Sequence, residues 1–97
     1  MISADEIKKM LEKNSKSLVQ ELKQSKELVI LLNKSAYTTL SDEEKVKVKS
    51  QLLDVLKSIP ALAVFLLPGG AVLLPIIAKL IPDILPSAFR NNSDKDE

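Results

Sequence analysis

The sequence predicts an all-α protein: two amphipathic helices followed by a proline-broken apolar segment, either a helical hairpin or a kinked transmembrane span. Three observations predict it. Apolar residues in the first sixty positions recur at three-to-four-residue steps among many Lys and Glu, the pattern of helices with one buried face. Two Ser-x-x-Glu sequences stand where those helices would begin. Ser58 to Ala78 then run for 21 positions without a charge, and about 20 apolar residues suffice to cross a bilayer as a helix.

The first helix is predicted over 4–33. Ser3-Ala4-Asp5-Glu6 reads as a capping box, in which the Ser hydroxyl and the Glu carboxylate each satisfy one free amide of the first turn. Ile7, Leu11, Leu18, Leu22, Val29 and Leu32 form its apolar stripe, with Asn14 and Ser25 as polar gaps. Lys and Glu on the other faces read as solvated surface. Residues 33–40 lack a helical period and are rich in turn formers, so they read as a connection.

The second helix is predicted over 41–59. Ser41-Asp42-Glu43-Glu44 is a second capping box, with its acids where the helix dipole favours them. Val48, Leu52, Leu56 and Ile59 give its apolar face. Pro60 disfavours helical geometry at Ile59 and sets the boundary.

The apolar segment, 60–89, holds all five prolines. Pro68-Gly69-Gly70 removes a helix hydrogen bond and loosens the backbone, so two short apolar helices, about 60–67 and 71–82, are expected on either side of a bend. Thirteen Leu, Ile, Val and Phe between Ile59 and Ile81 favour membrane insertion by roughly 4–8 kcal/mol. Internal prolines oppose it by up to about 3 kcal/mol each. A kinked span and a re-entrant hairpin both fit this balance. So does a soluble four-helix domain with the apolar pair at its centre. Lys79 is expected to anchor the segment's end by snorkelling, with Asp83 four residues on as a weak partner, although Pro82 could end the helix between them. Residues 91–97 contain no apolar side chain and are expected to be a disordered tail. Asp94 and Asp96 within it lack the spacing of a calcium loop. The N-terminus does not read as a secretory signal.

Composition excludes several functions. With 97 residues the chain is one module, expected over 1–90. Net charge is +1, and there is one Tyr, two Phe and no Trp, which argues against sequence-specific nucleic-acid recognition. His and Cys are absent, removing the commonest general base, thiol nucleophiles and the usual zinc ligands. No enzyme activity, metal or cofactor is expected.

The back half resembles the Letm family, the leucine-zipper and EF-hand-containing transmembrane proteins of the mitochondrial inner membrane and their bacterial relatives. Asp54, Lys57, Ile59-Pro60, Phe65, Pro68, Leu73-Leu74-Pro75, Lys79, Pro82 and Leu85-Pro86-Ser87-Ala88-Phe89 carry the resemblance, over about residues 28–90. Where the family often has an acid after the central proline, this chain has Gly69-Gly70-Ala71. The resemblance implies a short, bacterial-type member: a membrane module contributing to cation (potassium or calcium)/proton homeostasis, as an oligomer or accessory subunit. Its partners would be the lipid bilayer, further copies of itself and the ribosome, and its place a bacterial or mitochondrial inner membrane. Two alternatives stay open. One is a membrane tether or ribosome-binding interaction module acting through the charged first helix. The other is a soluble helical domain without a transport role.

Overall fold

A computed structural model describes residues 2–89. The expected tail, 91–97, lies outside them. The chain forms α1 (Ala4–Lys13), α2 (Ser15–Lys23), α3 (Lys26–Ser35), α4 (Asp42–Lys57), two 3-10 segments (Pro60–Leu66 and Gly70–Leu73) and α5 (Leu74–Ile84). There is no strand among the described residues, so the all-α expectation holds.

Both capping boxes form. The Glu6 amide donates to Ser3 Oγ at 3.2 Å and the Ser3 amide to Glu6 Oε1 at 2.9 Å. At α4 the matching bonds link Ser41 and Glu44 at 3.1 and 2.9 Å. These bonds satisfy amides that the first turn cannot pair internally. Helix α4 ends as expected, with Ile59 extended (φ −122°, ψ 98°) ahead of Pro60.

The single helix expected over 4–33 is instead three helices. Asn14 closes α1: its side-chain Nδ2 donates to the Met10 carbonyl at 2.8 Å, competing with the helical ladder. Gln24 and Ser25 separate α2 from α3, and Ser25 leaves helical geometry (φ −121°, ψ 70°). That break also shifts the phase of the apolar stripe. Leu28 is buried in place of the expected Val29, which is half-buried, while Ile7, Leu11, Leu18, Leu22 and Leu32 are buried as expected. A straight 30-residue helix would run about 45 Å. The two breaks let the front of the chain wrap around the apolar segment instead.

The apolar segment bends at Pro68–Gly69, where its two halves meet at 106°. Gly69 adopts φ 89°, a left-handed conformation open to glycine. The first half is 3-10 rather than α-helical. Leu62 and Phe65 are its buried residues, three apart as the three-residue turn of that helix requires, and buried Ile59 precedes them at the same spacing. Pro82 does not end α5, which continues to Ile84, so Lys79 and Asp83 lie on one unbroken helix. The loss is small so near the C-terminus, where Leu85 N still donates to Ile81 O at 2.8 Å.

Packing places the apolar segment between the two ends of the charged part. Helix α1 lies on α5, α4 on Pro60–Leu66, and α3 touches both α4 and α5. Phe65, Leu62, Ile77 and Ile81 sit at the centre of one core with Ile7, Leu11 and Leu52. No single helix among the described residues is long and apolar enough to cross a membrane; the bent pair Pro60–Leu66 and Gly70–Ile84 passes by length and composition together. Each half of that pair buries one face inside the protein. The other face leaves Val64, Leu67, Val72 and Ile76 exposed around the bend.

Candidate functional site

Helices α3 and α4 are fixed to each other at two points. Lys34 Nζ donates to Glu44 Oε2 at 2.6 Å, so Glu44 both caps α4 and receives the end of α3. Further along, Glu27 accepts from Gln51 Nε2 at 2.7 Å and Lys47 Nζ at 3.1 Å. The Lys34 bond and the Ser41 amide hold the Glu44 carboxyl below its ordinary value. Gln51, then Lys47, do the same for Glu27. Among the described residues no such polar tie joins α5 to α4. A groove lies between the two.

That groove has a volume of about 660 Å³, within the range of small-ligand pockets. Its floor is apolar: Leu32, Val48, Leu52 and Leu74. Ser35, Thr38 and Thr39 come from the end of α3 and the connection after it. Lys45 and Lys49 stand one turn apart on α4, and Lys79 faces them from α5. All three lysines are exposed, and none forms an ion pair among the described residues. Among the described residues no acidic side chain lines the groove.

The motif residues fall into several places. Pro75, in the first turn of α5, and Lys79 share the groove wall. Asp54 and Lys57 form a long exposed pair of 4.0 Å at the end of α4. Pro60 and Pro68 are exposed at the start of the 3-10 segment and at the bend. Phe65 and Leu85 are core residues, 1% and 3% exposed. Pro82 and Phe89 are half-buried, and Pro86 is exposed. Ser87 lines a smaller cavity of about 410 Å³ with Ser15 and Lys16 of α2. The motif is therefore mostly a packing and bending pattern, and it does not converge on one site. Lys79 and Asp83 are both exposed and make no ion pair among the described residues, which corrects the expected partnership. Sequence reasoning missed Lys45, Lys49 and the Ser35–Thr39 hydroxyls as parts of a site. The available signal was that Lys45 and Lys49 flank Val48 on the α4 stripe that faces inward.

The described residues contain no group of three or more acidic side chains placed to hold a metal. Among them no polar or charged residue is buried, and no buried polar side-chain atom lacks a partner.

The described residues thus form an all-helical module in which charged helices pack on a bent apolar segment. The family model described as "LETM1-like, RBD" matches residues 40–97, and the chain belongs to that family. It is also 30% identical over 82 residues to the LETM1 domain-containing protein YLH47, mitochondrial, of Saccharomyces cerevisiae. That match covers 84% of this chain and 18% of the yeast protein, so the chain spans about a fifth of the length of this curated relative. No solved structure matches the chain.

Proposed function

We propose that the chain is a ribosome-docking module of the LETM1-like family, held at a membrane by its bent apolar segment. The observation that carries this reading is the absence of any buried polar or charged residue among those described. A proton-coupled carrier needs a titratable group within its path. Lys79 and Asp83, the two charges in or beside the apolar segment, both lie on the surface. The cation/proton role implied by family resemblance would therefore belong to a larger assembly to which this module contributes.

The family's "RBD" description, a ribosome-binding domain, supports the partner. So does the charge of the front helices. Between Lys8 and Lys26 there are six lysines and only two acids, Glu12 and Glu21. All six lysines are exposed, and none is in an ion pair among the described residues. A polyanionic ribosomal surface would attract this lysine-rich front, which precedes the matched residues 40–97, in a salt-dependent way. The exposed Val64, Leu67, Val72 and Ile76 form an apolar edge suited to a lipid surface. The yeast relative's mitochondrial designation favours a mitochondrial membrane.

Ribosome pelleting tests the reading. The wild-type chain is expected to sediment with ribosomes at low salt. Replacing Lys8, Lys9, Lys13 and Lys16 by Gln should weaken pelleting without changing the helical circular dichroism. Equal pelleting by the two would overturn the proposed face, and no pelleting by either would overturn the partner.

A further inference from the structure

We propose that the groove between α4 and α5 is a binding site for one anionic single-chain lipid, its acyl chain on the Leu32–Val48–Leu52–Leu74 floor and its head between Lys45, Lys49 and Lys79. This goes beyond ribosome docking and does not depend on it. Three features of the groove define its occupant. The floor is apolar throughout and calls for an apolar body. The rim carries three lysines, with no acid in the lining and no ion pair to neutralise them among the described residues. An anionic head would supply that missing charge through charge-assisted hydrogen bonds. The hydroxyls of Thr38 and Thr39 add neutral donors and acceptors to the same lining, whereas the Ser35 hydroxyl already donates to the Leu32 carbonyl at 2.7 Å.

The source of the lipid follows from the neighbours of the groove. Ala71 and Pro75 line it, while Val72 and Ile76, the residues that follow each of them, are exposed on the apolar edge at the bend. The groove therefore opens beside that apolar edge, which places a membrane lipid next to it. The volume of about 660 Å³ suits one ligand of small-molecule size. Small side chains at Ala71, in the 3-10 segment before α5, and at Ala78 of α5 leave that wall low, so a larger residue at either place would fill the groove without altering charge.

The test uses the full chain and a fluorescent fatty acid held below its micelle concentration, compared with the uncharged alcohol of the same chain. One equivalent of the acid is expected to bind, roughly tenfold tighter than the alcohol, as expected of a charge-assisted contact. Ala78→Phe should weaken both probes by about tenfold or more. If Ala78→Phe lowers the unfolding midpoint, Ala71→Phe at an exposed position provides the same block. Lys45→Gln/Lys49→Gln/Lys79→Gln should remove the preference for the acid and leave alcohol binding unchanged. Vesicles of phosphatidylcholine with or without an anionic lysolipid then test the source, with transfer expected only from the anionic vesicles. Acid binding that survives both Phe substitutions would overturn the site, because the lipid would then lie elsewhere. Equal binding of acid and alcohol would overturn the role of the lysines. Failure of both probes, with saturable binding of an acidic amphipathic peptide, would make the groove a protein-docking site instead.

Discussion

The carbonyl oxygen of Phe65 occupies the space that a Cβ on residue 70 would fill. This close approach folds the second half of the apolar segment back against the first. The Phe65 side chain is 1% exposed in the core. Gly70 is thus required by backbone contact, whereas Gly69 is required by its φ of 89°, with open space around it. Two adjacent glycines serve two different purposes.

Gly70→Ala should destabilise the chain by about 1–3 kcal/mol, because backbone rather than a flexible side chain must move. Gly69→Ala should cost about 1–2 kcal/mol for the left-handed conformation alone. Neither change should straighten the segment into one helix. Urea unfolding of both variants measures this, and a neutral Gly70→Ala would show that the bend is not closed as described.

Phe65→Ala removes the largest buried side chain and leaves a cavity under α4, so a loss of about 3–5 kcal/mol is expected. Pro75→Ala, at an exposed first-turn position, should change stability little. Equal losses in the two variants would contradict the assignment of Phe65 to the core.

Three carboxylates make stability depend on acid. Glu6, Glu27 and Glu44 are all held below their ordinary value, by the Ser3 amide, by Gln51 and by Lys34 respectively as the largest causes. A carboxyl lowered in the folded state stabilises it above the unfolded value and loses that contribution as pH falls through the folded one. The thermal midpoint should therefore be steady near neutral pH and fall below about pH 4.5. Glu27→Gln/Glu44→Gln should flatten that fall. An unchanged acid profile in the double variant would show that the α3–α4 ties do not set it.

Elements fixed by local chemistry were legible in the sequence. Ser3 with Glu6, Ser41 with Glu44, and Ile59 before Pro60 each specify a boundary through one or two neighbouring hydrogen bonds or clashes, and the structure keeps them. Pro68-Gly69-Gly70 likewise announced the bend. The breaks at Asn14 and Ser25 were hidden because each polar residue sits among apolar positions whose spacing reads through it. A local bond, Asn14 Nδ2 to the Met10 carbonyl, closes the first helix, and packing uses both breaks, since three short helices cover the apolar segment where one rod could not. The fate of that segment was hidden because tertiary packing decides it. Its hydropathy is that of a span, yet Leu62, Phe65, Leu74, Ile77 and Ile81 pack inside the protein. The groove was least legible, since Lys79 meets Lys45 and Lys49 only through the placement of α5 against α4.

Under the proposed function the chain docks and does not itself carry ions. Proton-coupled cation flux in reconstituted vesicles tests it most directly, using wild type, Lys79→Gln and Asp83→Asn at matched insertion. The account predicts no flux above empty vesicles for the chain alone, and hence no difference among the three. Flux in the wild type that disappears in either variant, with helical content unchanged, would contradict it and make that surface residue part of an ion path.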